Sequence, residues 1–539
     1  MTVIVPRLLS CFAPGFPGRV ATFVGRLPRL KRWVLCAVLV PLLPLTAAAA
    51  ISLTVERADY PVLRGKAVNP VLGFTLHSDT PIRGGLEQVE VVFPEAAALA
   101  SVAEVHLCLG PASSAEVIAS ARLSGGAVRL KTAQPAAIAG RTFWIAVTLT
   151  DDADLDARLV LELVTVQAGG KVVNPVAGSA RAVQRIGVAL RQRGDDGSDS
   201  YRIPGLTRTN AGSLIAVYDI RRDHCRDLPA RIDVGASRST DGGQTWSPMR
   251  IAMTPASLGR EYASGGIGDP AILTDRATGR IWIAALWGHG NIGWDSSKPG
   301  LDPEETGQLV MTFSDDDGLT WAPLRNVTRA VKNPAWRLCF ASPGAGVCLQ
   351  DGTLVFPAIY RAADGGETQG KPFATILWNR DQGENWHMGT GAKIDTTESQ
   401  VVELADGTLM LNCRDNRGAT RSVMTTRDLG ATWQHHVTDR QALEDPVCMA
   451  GLLRWSHPRY GDLLIFSNPA STTARDNLTL KLSQDQGMSW PAGLQLRYDA
   501  RSGSGYSCLA PAGADHLGVL YEGRCEIYFL RVPLADFFP

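Results

Sequence analysis

From Ile51 to about Arg185 short apolar runs alternate with turn residues, as in QVEVVF, AEVHLCL, RTFWIAVTL and ARLVLELVTVQ. This pattern predicts short strands, and together they predict a β-sandwich over residues 51–185. Further on, a turn repeats. The stretch STDGGQTW fits S-x-D-x-G-x-T-W at Ser239, Asp241, Gly243, Thr245 and Trp246, and copies end on Trp321, Trp386, Trp433 and Trp490. An aspartate there is expected to accept hydrogen bonds from N–H groups two residues on. Glycine supplies positive φ, and the tryptophan packs beneath the turn. The Trp-to-Trp spacings of 75, 65, 47 and 57 residues are about one four-stranded unit plus variable loops, which predicts a β-propeller rather than a regular solenoid. In the third copy, NRDQGENW, asparagine replaces both Ser and Thr, a change that leaves its bonding capacity similar.

The first fifty residues differ in kind. Arg29, Lys31 and Arg32 precede an apolar run from Trp33 to Leu45 and then TAAAA, which predicts a signal peptide over 1–50 and export to the periplasm, the cell surface or the medium. The run is short for a membrane span, so no stable span is expected, although the long basic region before it leaves an uncleaved anchor as the lesser alternative. A chain of 539 residues is too long for one ordinary core, and the division predicted is 1–50, 51–185 and 186–539. Its 53 basic and 53 acidic residues balance, leaving no field for a nucleic acid, so anion recognition must be local. Cys11 and Cys36 fall in the leader, while Cys108, Cys225, Cys339, Cys348, Cys413, Cys448, Cys508 and Cys525 lie beyond it. Their spacing suggests no metal site, no cofactor is expected, and the pairing is open between free thiols and disulfides.

The repeated turns resemble the Asp boxes of sialidases, and Arg202-Ile203-Pro204 resembles the arginine motif that opens sialidase propellers. The stretch from about Arg185 to Pro539 is thus similar to the bacterial exo-α-sialidases of glycoside hydrolase family 33. The resemblance implies an all-β chain, a six-bladed propeller preceded by an accessory sandwich that packs or binds carbohydrate. The implied partners are sialylated glycans: mucin-type glycoproteins, glycolipids and oligosaccharides.

A terminal sialic acid carries a carboxylate on its anomeric carbon, which the planar fork of arginine suits. Arg202 in YRIPGL, Arg414 in LMLNCRDNRG and Arg475 in SNPASTTARDNLTLKLS match the family's carboxylate-binding triad. Tyr506 in RSGSGYSCLAP matches its nucleophile and Glu398 in DTTESQVVEL the base that activates it; tyrosine nucleophiles are a known exception among glycosidases. For the acid/base, Asp219, Asp223, Asp227 and Asp233 are equivalent by spacing, and the match to the loop before the first Asp box favours Asp227. Arg221 resembles an additional arginine, and Asp269 in GGIGDPAIL an acid near the sugar's hydroxyls. Trp287 in IAALWGHG is a candidate for the N-acetyl pocket, against which stands ordinary burial in an apolar run. Two other outcomes fit much of the pattern: a lectin-like propeller that keeps the arginines without turnover, and an enzyme that passes the sialyl group to another sugar or closes it into an anhydro product.

Overall fold

The computed structural model describes residues 51–78, 84–138, 140–176, 178–259 and 265–538; the predicted leader lies outside them. Almost every element is a strand. The sandwich has a five-stranded sheet in which Asn69–Ser78 and Thr142–Leu149 are central, facing a second sheet built on Leu86–Val92, Ala127–Ala136 and Arg158–Ala168. Phe74, Leu107, Phe143, Leu130 and Leu161 fill the space between, with Phe74 and Phe143 stacked at 5.4 Å.

Among the described residues, five further sheets of four or more strands follow along the chain, opening at Ser200–Arg208, Gly265–Thr274, Leu338–Ala341, Thr396–Glu403 and Gly451–His457. A two-stranded sheet pairs Ala419–Thr420 with Glu444–Asp445, and a last set of strands opening at Ser507–Pro511 continues the second sandwich sheet. These opening strands form a ring. Ser200–Arg208 touches both Gly265–Thr274 and Ser507–Pro511, and Gly451–His457 touches both Thr396–Glu403 and Ser507–Pro511. Because the sheets pack face to face, their middle strands are buried on both sides. Every residue of Leu214–Arg221 is buried, so such strands read as apolar runs, not as alternation.

One strand belongs to both halves of the molecule. Along Arg181–Arg191, residues 181–185 pair with Arg158–Glu162 of the sandwich, and 187–191 pair with Ile527–Leu530 of the last sheet. Ile186 and Leu190 accordingly sit in a single apolar cluster with sandwich residues and with Tyr201, Tyr218 and Phe529 of the propeller.

The repeated turns show one bonding scheme that departs from the expected one. Asp241 accepts from the N–H of Thr245, four residues on instead of two, at 2.9 Å, and from the Thr245 hydroxyl at 2.5 Å. The Ser239 hydroxyl donates to Asp241 at 2.8 Å and accepts from the Gly243 N–H at 2.8 Å. The loop is longer than a simple Asx-turn because glycine, at φ 93°, reverses the chain between the two. Asparagine substitutes fully in the third copy, where Asn385 donates to Asp381 through its backbone N–H at 2.9 Å and its side chain at 2.7 Å, and Asn379 accepts from Gly383 at 2.7 Å. These bonds hold the Asp381 carboxyl down at about 2; at Asp316 burial opposes, yet the bonds from Thr320 and Ser314 bring it also to about 2.

Since these folded-state values are depressed, their stabilisation is present above the unfolded carboxyl range and lost as pH falls towards 2. Asp316→Ala should lower stability by about 1–2 kcal/mol at neutral pH, with a smaller difference at pH 2–3 in denaturant titrations, and leave turnover per folded molecule unchanged.

Candidate active site

The ring of opening strands is bent out of regular pairing at three places, and each bend aims a side chain into one cavity. In the first sheet the register slips between Arg202 and Gly205, and Ile203 takes φ 61°. In the second it slips between Gly268 and Ala271, with Asp269 at φ 57°. In the fourth it slips between Thr396 and Ser399, around Glu398. Pro204 and Pro270 follow the two positive-φ residues and supply no N–H to the ladder. Such bulges re-aim side chains, and a β-branched residue at positive φ costs about 1–3 kcal/mol.

The resulting cavity has a volume of about 340 Å³ and is lined by Arg202, Asp227, Asp269, Glu398, Arg414, Arg475 and Tyr506 on its polar side. Leu228, Leu286, Trp294, Phe340 and Ile359 form an apolar side. Between them Thr397 presents a buried hydroxyl with no hydrogen-bond partner.

Tyr506 stands at the centre of the polar side, 5% exposed, just ahead of the opening strand of the last sheet. Its hydroxyl donates to Glu398, with contacts of 2.5 and 2.7 Å to the two carboxylate oxygens, and accepts from Arg414 Nη1 at 3.0 Å. Arg414 Nη1 also donates to Glu398. The guanidinium carbons of Arg202 and Arg475 lie 5.3 and 5.6 Å from the Tyr506 ring centre. Burial raises the phenol well above its ordinary value and Glu398 adds to that, while Arg414 and Arg202 pull the other way.

Carboxylates hold the arginines in place. Glu522, 1% exposed, accepts from Arg202 Nε at 3.1 Å and from the Ile203 N–H at 2.8 Å, and its second oxygen accepts from the Tyr506 N–H at 3.1 Å. It thereby fixes the bulge, the guanidinium and the tyrosine backbone at once. Burial alone would lower the Arg202 pKa; Glu522, Tyr506 and Asp227 reverse that and raise it. Arg475 is held through carbonyls instead, donating to Ser504 O at 3.1 Å and Val447 O at 2.9 Å.

Asp227 sits on the loop 222–231, its side chain 70% exposed, 3.1 Å from Arg202 Nη1 and 2.8 Å from Arg221 Nη2. Withdrawal from water pushes its carboxyl up, but Arg221 and Arg202 outweigh this and hold it below the usual range. The rival carboxyls are engaged elsewhere. Asp219 is buried against Arg221 and accepts from the Asp269 N–H at 2.9 Å; Asp223 pairs with Arg231, and Asp233 with Arg222. Asp269 is raised well above the ordinary value by burial and by Asp219, Asp227 and Glu398. A disulfide between Cys225 and Cys525 ties the Asp227 loop to the last sheet close to Glu522, while Cys108, Cys339, Cys348, Cys413, Cys448 and Cys508 are free and buried.

Two sequence candidates stand apart from the lining. Arg221 is 1% exposed and lies behind Asp227, donating also to Cys225 O at 2.7 Å. Trp287 does not line the cavity. Adjacent residues of a strand face opposite sides, so Leu286 points to the cavity and Trp287 packs with Ile215, Val217 and Val234 between the first two sheets. Among the described residues no group of His, Cys, Asp and Glu has the arrangement of a metal site.

The family model for the BNR repeat-like domain matches residues 222–519. A sialidase of Bacteroides fragilis is 41% identical over 403 residues, covering 73% of this chain and 73% of that protein. A sialidase of Micromonospora viridifaciens is 32% identical over 360 residues, 64% of this chain and 53% of that one. Among solved structures, the Hadza microbial sialidase Hz136 superposes with a TM-score of 0.82 at 38% identity, covering 89% of this chain and 99% of that one.

Removing the charge of Glu522 should loosen Arg202 without emptying the core. Glu522→Gln should keep its melting temperature within a few degrees and raise KM for a sialoside about tenfold or more, with a smaller change in kcat. Glu522→Ala leaves Arg202 facing a hole and should cost about 3–5 kcal/mol of stability.

Proposed function

Because the chain belongs to the bacterial sialidases, glycoside hydrolases that release sialic acid, we propose that it is a retaining exo-α-sialidase in which Tyr506 is the nucleophile. The observation that carries this reading is the Tyr506 hydroxyl between both oxygens of Glu398 and Arg414 Nη1, with Arg202 and Arg475 flanking the ring.

In the free enzyme the arginines are partly engaged with the site's own carboxylates. A terminal α-linked sialic acid brings a carboxylate into the space between Arg202, Arg414 and Arg475 and takes up much of their charge. Asp227 then loses the field that keeps it ionised, its pKa rises, and it becomes a competent acid towards the departing sugar oxygen. Substrate binding thus prepares the proton donor.

Tyr506 attacks the anomeric carbon as its proton passes to Glu398, and the bond to the leaving oxygen breaks as Asp227 protonates that oxygen. The product is a covalent sialyl-tyrosine and a free glycan. Water then replaces the phenol at the anomeric carbon: Asp227 takes its proton and Glu398 returns the other to Tyr506, releasing sialic acid with the configuration it had in the glycan. A phenol suits the attack because it approaches uncharged a carbon that already bears a carboxylate. The buried phenol does not ionise in advance, so proton transfer to Glu398 accompanies bond formation.

Around this core, Asp269 and Thr397 face the sugar's hydroxyls, and the apolar side from Leu228 to Ile359 takes its N-acetyl group. Arg221 positions Asp227 from behind. Export directed by residues 1–50 would bring the enzyme to the glycoproteins, glycolipids and oligosaccharides outside the cytoplasm.

Tyr506→Phe should fold and bind but lose about 10³-fold or more in kcat on 4-methylumbelliferyl α-sialoside, and a 2,3-difluorosialic acid should label the native chain at Tyr506 by mass spectrometry. Labelling at another residue would move the nucleophile, and early release of the β-anomer in proton NMR would contradict retention. Asp227→Ala should slow a natural sialyl-lactose by about 10²–10⁴-fold, far more than an aryl sialoside whose phenol leaves without protonation.

A further inference from the structure

Arg202 and Arg414 each have a carboxylate behind them, Glu522 and Glu398, whereas among the described residues Arg475 forms no ion pair. Its guanidinium is aimed by two carbonyls alone, Val447 O and Ser504 O. A carbonyl on a loop can turn, so the direction of Arg475 depends on what keeps these two from turning.

Both lead to Cys448. The Val447 C=O and the Cys448 N–H belong to one trans peptide plane and point to opposite sides of it. On one side the carbonyl accepts from Arg475 Nη2 at 2.9 Å; on the other the N–H donates to Asp445 Oδ2 at 3.0 Å. The Cys448 carbonyl accepts from Arg421 Nη1, and the Cys448 thiol donates at 3.8 Å to Ser504 O, the second acceptor of Arg475. Every polar group of Cys448 is thus engaged, and Val447 is held at φ 59°, a left-handed conformation that a β-branched residue rarely adopts.

Arg421 and Asp445 are 1% and 0% exposed, lie 3.5 Å apart and do not line the cavity. Arg421 also donates from Nε to Asn412 Oδ1 at 2.7 Å and from Nη2 to Asn412 O at 3.1 Å, which ties it to the fourth sheet. The other oxygen of Asp445 accepts from Asn468 Nδ2 of the fifth sheet at 3.3 Å, and Asn468 Oδ1 accepts from Lys481 Nζ at 3.2 Å. Exchanging such a buried pair for apolar residues is often neutral for stability, because both ions lose their water on burial. What this pair supplies is direction: an acceptor for the N–H and a donor for the C=O of one residue, each anchored on a different sheet.

We propose that Arg421 and Asp445 are positioning residues for Arg475, acting through the Val447–Cys448 peptide, and so set the affinity for the substrate's carboxylate without touching it. This rests on the reading that Arg475 receives that carboxylate. Rotation of the peptide would take Val447 O away from Nη2 and release the guanidinium from its aim. Arg202 and Arg414, held by Glu522 and Glu398, would keep theirs. The loss therefore falls on binding, and Tyr506, Glu398 and Asp227 remain in place to turn over whatever binds.

An amide at 445 cannot replace the carboxylate, because Cys448 N–H and Asn468 Nδ2 both donate to it and one of them would meet an NH₂ group. Asp445→Asn also strands the Arg421 charge, so the test pairs it with Arg421→Met/Asp445→Leu, which removes both charges together. Per folded molecule, each variant should raise KM for 4-methylumbelliferyl α-sialoside and Kd for an unsaturated sialic acid analogue about tenfold or more, with kcat reduced less than about threefold. Arg475→Ala should raise both constants at least as far. Adding the double substitution to it should raise them less than about twofold further, since the pair acts only through that guanidinium. Unchanged KM and Kd in a folded Arg421→Met/Asp445→Leu chain, a fall confined to kcat, additive effects with Arg475→Ala, or loss of the fold in both pair variants would overturn the proposal and leave the carboxylate reading of Arg475 standing. Unchanged KM and Kd in Arg475→Ala would instead remove that reading, and the proposal with it.

Discussion

Three guanidinium groups directed at one small cavity repel one another and lose hydration, and acceptors stand behind each of them: carboxylates behind Arg202 and Arg414, backbone carbonyls behind Arg475. Glu522 is the member on which most depends. With two oxygens it holds Arg202, the strained Ile203 backbone and the Tyr506 backbone, and so couples the first sheet to the last. Glu398 does the same between the fourth sheet and the last, through Arg414 and the Tyr506 hydroxyl. The charges are arranged as alternating partners around a space, and an arriving carboxylate enters an existing pattern of attraction. That pre-set geometry, with little left to reorganise when charge develops, is the physical basis of catalysis in such a cavity.

The sequence displayed the parts of this structure that local chemistry writes down. Alternating runs marked the sandwich, and the five Asp-Gly-Trp turns marked the repeating sheets, because a turn must carry its own bonding residues. The arginine, tyrosine and acidic positions that meet in the cavity came from motif resemblance, since nothing in their spacing says that residues 202, 398 and 506 converge. Glu522 was passed over: in GVLYEGR it ends an apolar run like any exposed strand-end charge, and only the closed ring makes it a buried anchor. Trp287 was misplaced by one residue's worth of strand pleat. The pairing of Cys225 with Cys525, 300 residues apart, could not be chosen among eight candidates. Ile203-Pro204 and Asp269-Pro270 are a local sign of convergence: both put proline inside a strand, which is where regular pairing fails and a side chain can be turned towards a site.

The sandwich is more than an appendage in sequence before the propeller. Its second sheet runs directly into the last sheet through Arg181–Arg191, and apolar side chains of both halves fill one continuous core. A movement of the sandwich would therefore strain the same sheet that carries Tyr506 and Glu522.

That shared strand also sets an order in time. Its first half finds its partners within the preceding sandwich, and its second half meets Val62–Arg64 along one edge, but the other edge of that half pairs with Ile527–Leu530, which are synthesised much later. Until then it presents an open, apolar edge, and neither Tyr506 nor Glu522 is there to meet Arg202. A chain that stops short of the last sheet cannot hold the assembled cavity. Activity is withheld from any molecule that stops short of the last sheet, and the interval with an unpaired edge makes this strand the place where assistance during synthesis, or its failure, would be felt first.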